Sequence, residues 1–251
     1  MPTPDIHYVT GFGGARLAWR EVGEGRPVLL LHGFFSDAVT NWIRYGHAAA
    51  IAARGFRVIM PDLRAHGDSA KPHDAAAYPP DVLAADGFAL IEALGLTDYD
   101  LGGYSLGART TVRMLARGAT PRRVVLGGMG YEGITSTGSR AGFFRDVLTR
   151  PDGFERGSAE WLAQAFLKTT GGDSAALVRV LDTFVDTPPE VLATIRQPTL
   201  VVAGSDDFDN GSAEALAASL PNAKHVVTPG NHMSAVIKPE LGEAMADFLA
   251  A

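Results

Sequence analysis

The sequence predicts an α/β fold: a mostly parallel eight-stranded sheet flanked by helices, with a small all-helical cap inserted after the sixth strand. Three observations carry this. Short apolar, β-branched runs recur eight times, and helix-period segments lie between them after the second. The run PVLLL (27–31) is almost continuously apolar, as a strand buried on both faces requires. One long stretch, 131–197, carries helical periodicity and no strand.

In chain order, strands are expected at 6–10, 16–22, 27–32, 56–60, 99–103, 122–127, 198–204 and 224–228. TGFGGA between the first two suits an antiparallel hairpin. Helices are expected at 41–54, 80–95, 106–118, 212–220 and 233–250. Within 131–197, SRAGFFRDVL, SAEWLAQAFLKTT and SAALVRVLDTFV place apolar residues at i, i+3 and i+4. A fourth helix is expected from Thr187, with Thr187 as cap, proline at the first helical position and Glu190 closing a capping box. Such an insert cannot bury its apolar faces alone, so it reads as a cap (131–197) over a body formed by 1–130 and 198–251.

Composition narrows the function. The 251 residues carry 22 Lys and Arg against 28 Asp and Glu, a net charge of −6, with no basic run. Phosphate neutralisation needs clustered cations, so a nucleic-acid partner is not expected. The absence of cysteine excludes disulfides, thiolate chemistry and Cys-ligated metals. No His/carboxylate cluster has ligand spacing, so neither metal nor other cofactor is expected. No apolar run approaches the roughly 20 residues of a membrane span, and MPTPDIHYVTGFGG lacks the features of a secretory signal. The expectation is a soluble, cytoplasmic protein acting on a small molecule.

The chemistry centres on LGGYSLGART (101–110). Ser105 falls where a strand turns into a helix, between Gly103 and Gly107. A turn this tight leaves no room for side chains two residues either way, and it lifts a serine oxygen to the positive end of the following helix. A serine nucleophile needs a base, and the base an orienting acid. The seventh strand ends in a loop with Asp206, Asp207 and Asp209, and the eighth in a loop with His232.

Together HGFFSD (32–37), PDLRAHGDS (61–69), GYSLGA (103–108), AGSDD (203–207) and GNH (230–232) resemble the α/β-hydrolase superfamily, in the serine hydrolase branch with a helical cap. The resemblance spans nearly all of the chain outside the cap. It implies Ser105 as nucleophile, His232 as general base and, from G-x-x-D at 204–207, Asp207 as the acid, with Asp206 a bystander. It also implies an oxyanion hole from the backbone N–H groups of Phe34 and Leu106. The family usually has glycine where Ala65 stands. His32 is expected to be structural, and Arg64, His66 and Asp68 to tie their loop together. Met129, Phe143, Trp161, Met233 and Val236 are candidates for the pocket wall.

Serine rather than aspartate at position 105 weighs against dehalogenase and epoxide hydrolase chemistry. The reading is a hydrolase of a small carboxylic ester, lactone or thioester acting through an acyl-enzyme. The alternatives are a C–C bond hydrolase of ring-cleavage diketones, a cofactor-free perhydrolase, and a ligand-binding receptor on a hydrolase fold.

Overall fold

A computed structural model describes residues 3–150 and 153–251; Met1 and Pro2 of the N-terminal stretch, and 151–152 of the cap segment, lie outside them. The strands are β1 (His7–Thr10), β2 (Arg16–Val22), β3 (Arg26–Leu31), β4 (Phe56–Pro61), β5 (Asp100–Tyr104), β6 (Val124–Gly127), β7 (Thr199–Gly204) and β8 (Ala223–Thr228). They form one sheet in the order β1-β2-β4-β3-β5-β6-β7-β8. β2 runs antiparallel to both its neighbours, and all pairs from β4 to β8 are parallel. The two N-terminal strands form the expected hairpin, with Thr10 opposite Arg16.

The body helices are α1 (His47–Ala52), α2 (Val82–Ala93), α3 (Leu106–Ala116), α9 (Ala213–Ser219), α10 (His232–Ala235) and α11 (Pro239–Ala250). Between β6 and β7 lie α4 (Tyr131–Thr135), α5 (Gly138–Thr149), α6 (Ala159–Thr170), α7 (Ser174–Leu181) and α8 (Pro189–Leu192). α4 packs on α9 and α3, while α5 packs on α6 and α7. Apolar clusters fill both faces of the sheet. One joins Leu29, Leu31 and Leu101 to α2 and the cap; the other joins Val28, Leu30 and Val58 to α1 and α11. No helix among the described residues is long and apolar enough to cross a membrane.

The structure corrects three expected helices. The segment 41–54 is interrupted at Gly46, whose φ of 84° is left-handed, so a π turn over Val39–Ile43 precedes a separate α1. The C-terminal helix is divided at Lys238, since Pro239 cannot donate the backbone bond that continuity needs. α8 is capped by Pro188 with no side-chain bond; Thr187 is instead buried, its hydroxyl accepting from Arg113 at 3.2 Å.

Candidate active site

β5 ends at Tyr104 and α3 begins at Leu106, so the whole change of direction falls on Ser105, at φ 53° and ψ −112°. A non-glycine residue holds this conformation only where its surroundings over-determine it. They do so here: Ser105 N–H donates to Gly127 O at 2.8 Å, and its own carbonyl accepts the first helical bond from Arg109 at 3.0 Å. A Cβ at Gly107 would overlap the Leu31 carbonyl, and one at Gly103 would overlap the Gly107 backbone. The two glycines are what let α3 lie this close to β3 and β5.

His232 opens α10. Asn231 caps that helix, its side chain accepting from Met233 and Ser234 N–H while Ser234 Oγ accepts from Asn231 N–H. Tyr104 OH donates to the His232 carbonyl at 2.7 Å, fixing the histidine from beneath. In consequence His232 Nε2 stands 3.0 Å from Ser105 Oγ, and Nδ1 stands 3.0 and 3.1 Å from the two oxygens of Asp207. All three residues are buried, at 7–8% exposure. A carboxylate beside Nδ1 selects the tautomer protonated there, which leaves the Nε2 lone pair facing the serine hydroxyl. Of the three neighbouring acids, only Asp207 reaches the imidazole. Asp206 is exposed and accepts from Ser205 Oγ, and Asp209 pairs with Arg140 at 2.9 Å.

Facing Ser105 is a turn over residues 33–36, closed by Ser36 N–H to Gly33 O at 3.1 Å. Phe35 sits in its left-handed position at φ 63°. Asn41 Oδ1 accepts from Gly33 N–H at 2.9 Å and so anchors the turn. The N–H groups of Phe34 and Leu106 find no acceptor among the described residues, as donors held ready for a ligand oxygen would be.

His32 Nδ1 donates to Gly33 O at 2.8 Å while Nε2 accepts from Leu63 N–H at 2.9 Å. With both nitrogens used, it serves as a brace for the turn, and burial lowers its pKa. His66 bonds the Arg64 carbonyl through Nδ1 at 2.9 Å, and burial beside His32 pushes its pKa well below the usual imidazole range. Arg64 forks onto Asp86 at 2.7 and 2.9 Å, and Asp68 accepts from Arg20 at 2.7 Å. Ala65, where glycine is usual, lies at φ 71°, so the loop keeps the glycine conformation against the steric penalty of a Cβ.

Above the serine a cavity of ≈ 460 Å³ reaches the surface. Phe143, Met233 and Val236 line it, as expected. Met129 does not: it is buried in the core cluster with Ile134 and Leu192. Nor does Trp161. The cavity face of α6 is Ala159, Leu162, Ala163 and Phe166, at helical i, i+3, i+4 and i+7 spacing, and position 161 falls on the opposite side. Three residues that the sequence did not single out belong to the site: Tyr104, Asn41 and Arg140 all line the cavity. Tyr104 was visible inside GYSLGA, but nothing marked its hydroxyl as the support of His232. Among the described residues no group of three or more His, Asp or Glu could hold a metal ion.

The alpha/beta hydrolase family model matches residues 28–247, and the chain belongs to that family. It is similar to a non-heme haloperoxidase from Rhodococcus erythropolis, 28% identical and covering 89% of this chain and 91% of that one. The solved structure of a thermophilic esterase from Thermogutta terrifontis superimposes with a TM-score of 0.74 at 25% identity, over 98% of both chains. That of an enol-lactonase from Burkholderia xenovorans LB400 gives 0.76 at 22% identity, over 98% of this chain and 100% of that one, a likeness of fold. The protein is a hydrolase enzyme.

Proposed function

We propose that the protein cleaves small carboxylic esters, lactones or thioesters through an acyl-enzyme on Ser105. The observation that carries this is the continuous relay of Ser105 Oγ, His232 and Asp207 at 3.0–3.1 Å, at the floor of an open cavity. Ser105 Oγ attacks the ester carbonyl carbon as its proton passes to His232 Nε2. Asp207 stabilises the imidazolium through Nδ1. The carbonyl oxygen, now negative, accepts from the N–H groups of Phe34 and Leu106. Collapse expels the alcohol, which takes the proton from His232. A water then repeats the sequence on the acyl-enzyme and releases the acid. Each oxyanion donor of this kind contributes about 10²–10³ in rate.

Phe143, Phe144, Ala163 and Phe166 give the cavity a largely apolar wall, and Tyr45, Leu162, Met233 and Ile237 are exposed at its rim. Its volume lies within the range of sites for drug-sized ligands, which supports substrates beyond acetate esters. Replacing Ser105 by Ala tests the reading, since alanine fits the turn as well as serine and only the oxygen is lost. Ester turnover falls to under about 1% with melting unchanged; higher residual turnover would contradict the covalent route.

A second reading, perhydrolysis, is favoured by similarity to the haloperoxidase over 91% of that protein. Hydrogen peroxide would replace water in attacking the acyl-enzyme, and a peracid would leave. Peracid formation from acetate and hydrogen peroxide, lost in Ser105→Ala, is its signature.

A further inference from the structure

A second recess, apart from the cavity above Ser105, opens where three parts of the molecule meet. Its walls are the first turn of α2, the face of α3 that carries Arg109 and Arg113, and residues 183–185 between α7 and α8. It measures ≈ 20 Å³, room for one occupant the size of a water molecule or a monatomic ion.

Two independent sets of donors meet there without acceptors. The first is the head of α2, where Leu83 and Ala84 line the recess. Asp81 holds the N-cap position, but its backbone is left-handed at φ 59° and its side chain does not cap the helix. Its two carboxylate oxygens accept instead from Arg113, at 2.8 and 2.6 Å. The first turn of α2 contains no acid, and the N–H groups of Leu83 and Ala84 find no acceptor among the described residues. A twelve-residue helix in this state offers free N–H groups and the positive end of its dipole.

The second is Arg109, only 6% exposed. Its Nε donates to the Gly133 carbonyl at 2.9 Å, and its guanidinium lies 4.4 Å from the ring centre of Phe184, which also lines the recess. Nη1 and Nη2 donate to nothing among the described residues, and both stay accessible rather than sealed in protein. No carboxylate among the described residues lies within ion-pair distance of Arg109. Asp81 is held by Arg113, with Arg117 4.0 Å away. Asp186 acts on Arg109 only from farther off, and its Oδ1 accepts from Thr137 N–H and Oγ. Burial, then the Arg140 charge, lowers the Arg109 pKa to about 10, so the guanidinium is charged at neutral pH. The recess is thus lined by two cations against one acid, and one of the cations is uncompensated. A buried charge without a partner is costly, and a single anion answers both it and the helix end.

We infer that this recess binds one small monovalent anion of chloride size, between the Nη groups of Arg109 and the first-turn N–H groups of α2. The volume excludes phosphate and larger carboxylates. The ion joins α2 and α3 to the segment by which the cap returns to the body, where Asp81 N–H already donates to the Thr183 carbonyl at 3.0 Å. Binding therefore favours the folded protein. The site is independent of the reaction assigned to Ser105.

Thermal melting of the native protein tests this as sodium chloride replaces sodium gluconate, an anion too large for the recess. Constant ionic strength removes general screening. Tm rises saturably by about 2–4 °C, the response of a chain of this size to a modest ligand. Bromide gives the same rise. The rise disappears in Arg109→Gln and survives in Arg140→Gln, whose arginine lines the other cavity. Should Arg109→Gln fail to fold, native crystals soaked in sodium bromide decide, with an anomalous peak expected within hydrogen-bond distance of Arg109 Nη and the Leu83 and Ala84 N–H groups. Absence of that peak overturns the inference and leaves water as the occupant. A Tm indifferent to chloride overturns it as well, making any bromide peak binding at crystal concentration only. So does a rise that persists in Arg109→Gln, which would put the ion elsewhere.

Discussion

The helix that follows Ser105 and the two helices of the cavity wall are built on opposite terms. α3, which carries Ser105 at its head, buries nine of its eleven residues in the body. Cap helix α5 buries one of twelve, Val147, and α6 one of twelve, Leu167. The apolar faces of the cap are spent on the cavity wall and on each other, through Phe143, Phe144, Ala163 and Phe166. Strain follows the same division. All four non-glycine residues with positive φ among the described residues, Phe35, Ala65, Asp81 and Ser105, belong to the body. Only dense packing can hold a backbone against its own preference, at a cost of order 1–3 kcal/mol per residue. Reaction geometry therefore resides in the body, and the cap, with less core to lose, is where the cavity can vary.

The largest expected effect lies in the body. Asp207→Asn lowers kcat by about 10²–10⁴, because the amide no longer selects the His232 tautomer or stabilises its charged form. The same change at Asp206, which reaches only Ser205, costs less than about tenfold. Steady-state kinetics on the two variants decides between them, and reversed magnitudes would move the acid to the exposed loop.

Next comes a dependence of stability on pH. His32, His47 and His66 are buried and have lowered pKa values, chiefly from desolvation of the charged form. The unfolded chain takes up their protons near pH 6.5, whereas the folded protein resists until lower pH. Their contribution is complete above about pH 6.5 and is lost as pH falls through the folded values. The slope is at most about 1.4 kcal/mol per pH unit for each histidine. Two of the three brace loops beside the site; the third, His47, bonds the Val236 carbonyl at 2.6 Å, and none belongs to the cap. Thermal melting from pH 7.5 to 5.0 shows Tm falling below pH 6.5, with a shallower fall in His47→Gln. A Tm that rises on acidification contradicts this.

The smallest effect belongs to the cap. Leu162 is 54% exposed at the cavity rim, so Leu162→Ala removes only part of an apolar wall. At about 0.8 kcal/mol per buried methylene, kcat/KM falls about 3–10-fold on octanoate esters and less than about twofold on acetate. A series from two to sixteen carbons below the micellar limit measures it, and the native optimum falls near six to eight carbons. An equal loss on acetate would make the cap part of the reaction machinery.

The same division explains what the sequence reveals. All eight strands fall within two residues of their expected bounds, since buried parallel strands write themselves as apolar β-branched runs. That Ser105, His232 and Asp207 would come together was legible because a tight strand-to-helix turn forces glycines around it and because strand ends mark the loops. The cavity wall was not. Met129 and Trp161 are apolar and suitably placed in sequence, but facing is decided by helix rotation: Leu162 enters the cavity and its neighbour does not. Nor could Arg140 be picked out from the other arginines, because only the fold brings it to the cavity wall beside Phe143 and Phe144.

The central claim, that the body alone carries the reacting oxygen, is tested most directly by covalent trapping. The native protein is treated with a fluorophosphonate and its intact mass and peptides are measured, with Ser105→Ala alongside. The account predicts one adduct per chain, on the peptide containing Ser105, formed more slowly in Asp207→Asn and absent from Ser105→Ala. Stoichiometric labelling of Ser105→Ala, or an adduct elsewhere in the native chain, contradicts it.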